Sequence, residues 1–326
     1  MALDYLPSWG QLPAEQYLIQ FWNPASTEQP STQRARLVKQ FLNLDQLNSD
    51  WDPTDGATNP DAQPARIPTE EEIAIILRPW RSDHIRRLAW RVWEVYTNKG
   101  GNNPLLLRTW YNPDDDERVK SWATLSEEFA DDADWALLDD RAVFDFGTGP
   151  WQQVLEILPE IAVRLSQDNQ WVRRKDWRVN DECGFYSDFK EELNEVKRSN
   201  SSWKNDLNIL VKENAAAQSY LHYISRSYIL IADKEAFETD HFLLAYLDTK
   251  GRVTMQGRIL IDEDRLGEVS LEWFEGRAPV EVFEEGELGA EYVVAAGNGA
   301  DRDVYYWTRE DLEDDPPPFG DEEDQL

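Results

Sequence analysis

The clearest periodic signal in the chain lies between residues 82 and 101. Ile85, Leu88, Ala89, Val92, Trp93 and Tyr96 recur three and four residues apart, the spacing of one buried helix face. Ser82 or Asp83 can cap its start, and Gly100-Gly101 closes it. Just upstream, Thr69 and Glu72 have the spacing of a capping box. Ile73, Ile76 and Leu77 continue that helix, and Pro79 ends it. Further helical patterns cover 34–47, most of 114–138, and 187–224 with a break at Ser201-Ser202.

Two short apolar runs interrupt this helical stretch. Residues 105–111 (LLLRTWY) and 142–146 (AVFDF) read as strands separated by a helix, an order that suggests parallel neighbours. Gly147 and Gly149 then allow a turn, and Pro150 suits the first position of a helix carrying Trp151, Val154, Leu155 and Leu158. Pro159 breaks that helix.

From Ser227 the period changes to that of strands. Residues 228–232 are a continuous apolar run. Segments 241–247 and 253–261 flank Asp248-Thr249-Lys250-Gly251, a hairpin turn with glycine last. Residues 269–274 alternate apolar and polar. Segments 292–296 and 304–307 flank a second hairpin signal at Gly297-Asn298-Gly299. The expected fold is therefore α+β, with a helix-rich N-terminal two-thirds packed on a C-terminal, mainly antiparallel sheet. The expected divisions are an N-terminal arm and flexible Asp- and Pro-rich loop over 1–68, a helix-rich region over 69–226 and a β-rich region over 227–308. An acidic disordered tail follows over 309–326, with nine acids against one base.

Charge changes this picture more than composition does. The 326 residues carry 64 acids against 33 Lys and Arg, a net charge of −31. Such a surface repels nucleic acid and anionic membranes and attracts basic partners. The most basic spot holds Arg78, Arg81, Arg86, Arg87 and Arg91, and a second holds Arg173, Arg174, Lys175 and Arg178. Pairing with the protein's own acids is the plainer expectation for the first cluster, and a phosphate site the alternative. Fifteen tryptophans point to a core built on large aromatics. Cys183 is the single cysteine, so no internal disulfide forms. With no signal peptide and no run long enough to span a membrane, a cytoplasmic location is expected.

Candidate chemistry is sparse. Carboxylate pairs at Asp131-Asp132, Asp139-Asp140, Asp181-Glu182 and Asp262-Glu263-Asp264 follow from acid content alone. His84, His222 and His241 share no ligand spacing, and no P-loop or nucleophile elbow occurs, so no catalytic residue, metal site or cofactor is assigned. One stretch stands apart. Asp145-Phe146-Gly147-Thr148-Gly149 resembles the first motif of the class I S-adenosylmethionine methyltransferases. There an acid ends a strand and glycines let the backbone approach the cofactor. The resemblance spans five residues and implies cofactor contacts from Asp145, Gly147 and Gly149. The family's second acid, about twenty residues on, has no counterpart in Asn169 to Lys175. An ordinary strand-to-helix turn is the other reading of the same residues.

The functional expectation is a protein-binding protein that engages a basic partner through acidic surface. A divergent methyltransferase-like enzyme using the turn at Asp145 is the alternative. Oligomeric state has no signature in the sequence.

Overall fold

The computed structural model describes residues 5–44, 47–48, 51, 66–97, 105–122, 125, 136–162, 191, 194–195, 198–204, 225–275 and 286–289. The expected tail at 309–326, the hairpin over 292–307, Cys183 and the basic residues 173–178 lie outside them. So do Gly100-Gly101 and most of the expected loop and of the 187–224 helices.

The protein is mixed α+β. Among the described residues six strands form one sheet in the order β2-β1-β3-β4-β5-β6. They are β1 Leu105–Arg108, β2 Ala136–Leu138, β3 Ser227–Ala232, β4 His241–Leu247, β5 Val253–Leu260 and β6 Glu287–Leu288. β2, β1 and β3 run parallel, and β3 to β6 pair antiparallel in turn. The parallel half explains the uninterrupted apolar runs. All four residues of β1 and all six of β3 are buried, as expected of strands covered on both faces.

Both faces of the sheet are indeed covered. Leu105, Leu107, Ile229, Ile231, Ala245 and Leu247 point to one side. There they meet α1 (Pro13–Phe21), α2 (Pro30–Leu42) and α4 (Asp83–Thr97). Between α2 and α4, α3 (Glu70–Glu72) opens with the expected capping box, Thr69 Oγ1 accepting from the Glu72 N–H at 3.2 Å. It runs on as a π-helical turn over Ile73–Leu77. On the other side lie α5 (Asp116–Trp122), α8 (Lys234–Thr239) and α9 (Glu263–Glu275). Trp122 stacks at 4.8 Å on Phe237 and edge-on at 5.1 Å to Phe242. Trp273 lies 5.2 Å from Tyr228 and 5.9 Å from Tyr246. The sheet is therefore less uniformly antiparallel than expected, and helices from the C-terminal part cover its second face.

Two expected strands are helices. Residues 141–144 form α6 (Arg141–Phe144), because Asp140 Oδ1 accepts from the Ala142 N–H at 2.9 Å and caps a helical turn. The strand partnering β1 is instead the Ala136–Leu138 segment just before it. Residues 269–274 belong to α9, whose start Asp262 caps by accepting from the Arg265 N–H at 2.9 Å. Leu266, Val269 and Trp273 then fall on one helical face, which outweighs the period-two alternation.

The hairpin at Gly251 is as expected. Asp248 Oδ1 accepts from the Lys250 and Arg252 N–H groups, and Gly251 takes φ +73°. A Cβ there would also lie 2.9 Å from Leu155 and 3.1 Å from Ala162. The turn thus seats against α7 (Val154–Ile157) and the residues after it.

Two arginines at the start of α4 fasten the helical layer. Arg81 forms a bidentate pair with Glu160 at 2.9 and 2.7 Å, and its Nε donates to the Ile157 carbonyl. Arg86 Nε donates to Glu15 at 2.7 Å and its Nη2 to the Pro7 carbonyl. Glu15 also accepts from the Gly10 N–H at 2.7 Å. All four charged side chains are within 1% of full burial. The guanidinium carbons lie 3.7 Å over Trp80 and 3.6 Å over Trp9. The basic cluster therefore turns inward at Arg81 and Arg86, while Arg78 and Arg87 stay exposed.

Removing one partner of such a pair strands a charge in the interior. Glu160→Ala is expected to lower the unfolding free energy by about 3–5 kcal/mol in urea titrations. A loss under about 1 kcal/mol would mean that the pair does not hold the layer.

Candidate functional site

The sheet's parallel half places one edge in a position suited to function. β1 leads to β2 on one side, and the chain later returns through β3 on the other. The carboxyl ends of β1 and β3 thus lie at a topological switch point. Arg108, the last residue of β1, lies there and is 2% exposed. Its Nε donates to the Trp110 carbonyl at 2.9 Å and its Nη2 to the Asn112 carbonyl at 3.2 Å. Nη2 also pairs with Asp116 at 2.8 Å, and Nη1 faces Asp139 at 3.4 Å. These bonds fold residues 109–112 back over the strand end. That is why the strand stops at Arg108 rather than running on to Tyr111.

Tyr111 sits against the Arg108 guanidinium, 4.7 Å from its ring centroid. Its hydroxyl is buried and has no hydrogen-bond partner among the described residues. Burial holds the phenol well above its ordinary range, and the negative charges of Asp139, Asp140 and Asp145 push in the same direction against Arg108. The shift favours the neutral phenol. Asp140 links to α4 as well, its Oδ2 lying 3.4 Å from His84 Nε2.

The β3 side of the edge is equally tied down. Asp233 follows β3, caps α8 through the Ala236 N–H and receives both Nη atoms of Arg258 at 2.8 and 2.6 Å. Arg118 of α5 donates to the Phe237 carbonyl at 2.9 Å and pairs with Asp240, which adopts the left-handed φ of +57° at the end of α8. Trp110 remains 38% exposed between these elements, with the Lys234 ammonium 5.8 Å from its ring centroid.

The residues singled out in the sequence fare differently. Asp145, Gly147 and Gly149 form a turn between two short helical segments, α6 and the 3-10 turn Trp151–Gln153 that leads into α7. No strand delivers Asp145 to the turn. Its carboxylate accepts from the Gly147 N–H at 3.2 Å and faces Arg141 at 3.5 Å, so the acid serves its own turn. Gly147 takes φ +58°, while Gly149 lies outside the left-handed region. The structure does bring Asp145 into the field of Tyr111, beside Asp139 and Asp140.

Among the described residues no three His, Cys, Asp or Glu side chains are placed to hold a metal ion. His222, Asp131-Asp132 and Asp181-Glu182 lie outside the described residues. Arg108, Trp110 and Tyr111 were hidden inside a sequence that reads as one strand. The usable signal is an arginine ending a run of three leucines just before Asn112-Pro113 and three aspartates. Comparison with known proteins returns no matching family model, no matching curated protein and no matching solved structure.

Two measurements follow. In a spectrophotometric titration, Tyr111→Phe should remove a phenol that ionises after the ordinary ones near pH 10. Since folding raises this pKa, its stabilising contribution is complete below about pH 10 and lost above it. Loss of a phenol titrating in the ordinary range would contradict the assigned environment. S-adenosylmethionine should leave the melting temperature unchanged. A saturable rise abolished by Gly147→Ala would instead support a cofactor role for the turn.

Proposed function

We propose that this is an interaction protein, which works by binding another protein of basic character through its acidic surface. One observation carries the reading. Among the described residues the buried charges cancel: Arg81, Arg86 and Arg108 stand against Glu15, Glu160 and Asp248, three cations against three anions. The described interior thus absorbs none of the sequence's excess of 64 acids over 33 Lys and Arg. Arg81 and Arg86, the buried members of the basic cluster, are held in internal pairs and are not open to a polyanion. A surface of this sign raises the encounter rate with basic proteins and disfavours nucleic acid and anionic membrane.

The acidic run over 309–326 belongs to the same reading as an additional electrostatic arm. A cytoplasmic setting accords with the single cysteine. Among the described residues no helix is long and apolar enough to cross a membrane. The methyltransferase-like alternative rests on the five-residue turn alone, and the local commitment of Asp145 gives it no added support.

The test is capture from lysate by the full chain and by a chain lacking 309–326, at low and high salt. Basic proteins should be enriched at low salt, lost at high salt and reduced by the truncation. Capture of neutral or acidic proteins that survives high salt would overturn the electrostatic reading.

A further inference from the structure

Trp110 is the large aromatic left exposed at the carboxyl edge of the parallel strands, and its surroundings are unusual for an exposed ring. The backbone that carries it is pinned, because Arg108 donates to the carbonyls of Trp110 and Asn112. The next residues form the start of α5, and α5 packs on α8 through Trp122, Phe237 and the Arg118 bonds. Ring and rim are therefore parts of one firm surface.

That surface is acidic. Residues 109–122 and 233–240 carry eight acids against three Lys or Arg, a local charge of 3 − 8 = −5. Arg108 and Arg258 reach in from the strands and bring it to 5 − 8 = −3. A cation already sits there. The Lys234 ammonium lies 5.8 Å from the Trp110 centroid and 3.3 Å from Glu238. Its side chain is 62% exposed, so it is held loosely. An electron-rich ring face on an acidic surface attracts ammonium and guanidinium groups, and an exposed tryptophan is the residue type most able to anchor a partner.

We propose that Trp110 and the acidic rim of α5 and α8 form the docking point for a lysine- or arginine-rich segment of the partner protein. In the free protein, Lys234 holds the place that the partner's cation takes. This rests on the basic-partner reading above and gives it a location. Binding exchanges the Lys234 ammonium for one from the partner, whose flanking cations meet the exposed acid Asp114 and compete with Lys120 for Glu117.

The test uses the full chain and a fluorophore-labelled decalysine peptide, read by fluorescence anisotropy at low salt. Trp110→Ala leaves the net charge unchanged, yet should weaken binding about threefold to fivefold, with Trp110→Phe losing less. Lys234→Gln should tighten binding more than Lys39→Gln, which removes the same charge from α2 on the opposite face of the sheet. Equal affinities for Trp110→Ala and the parent, or equal gains from the two lysine variants, would overturn this location while leaving the basic-partner reading standing. No binding of the peptide to the parent chain would overturn both. Circular dichroism of each variant shows whether it is folded, and the lysine pair decides the question even where Trp110→Ala is not.

Discussion

A guanidinium cannot be left alone in a protein interior, and this constraint organises the molecule. Stripping an arginine of water costs several kcal/mol, so a buried one must find carboxylate and carbonyl acceptors in fixed geometry. Arg81 finds Glu160 and the Ile157 carbonyl, and Arg86 finds Glu15 and the Pro7 carbonyl. Those four acceptors come from segments more than seventy residues away in sequence. Satisfying two side chains at the start of one helix therefore fixes the N-terminal arm, α1 and the 157–160 segment together.

The same arrangement recurs at the sheet edge. Arg108 is buried, bonds two carbonyls and faces two aspartates. Arg81, Arg86 and Arg108 also each lie over an aromatic ring, Trp80, Trp9 and Tyr111. Some of the high tryptophan content is thus cation packing and not only apolar core. Among the described residues the buried charges balance, so the proposed recognition of a basic partner rests on acids outside this interior and on the exposed Trp110 beside them.

Much of this frame is legible in the sequence. The stripe from Ile85 to Trp93, the Thr69–Glu72 capping box and the Asp248–Gly251 hairpin all appear where local spacing places them, because each depends on neighbours within a few residues. Residues 142–146 and 269–274 mislead for a definite reason. Both carry apolar residues compatible with either period, and a capping aspartate, Asp140 or Asp262, decides for the helix. The identity of the strand beside β1 shifts accordingly to Ala136–Leu138. The site is less legible still. Asp145, Gly147 and Gly149 attract attention as a motif, but the turn is made by Asp145 for itself. Arg108, Trp110 and Tyr111 acquire meaning only when the parallel pairing brings β1 and β3 to a common edge, which is long-range information absent from local pattern. Likewise, the sequence offers Arg81 and Arg86 as one cluster with Arg78, Arg87 and Arg91. Only the distant partners Glu160 and Glu15 show which of them are internal.

The central claim is that Arg81 and Arg86 are frame and not binding site, each coupled to one distant acid. A double-mutant cycle on Arg86 and Glu15, both replaced by methionine, tests it most directly by urea unfolding. The predicted result is two large single losses with a double variant less destabilised than their sum by about 2 kcal/mol or more. Additive single losses would show that the two charges do not depend on each other, and would contradict the account.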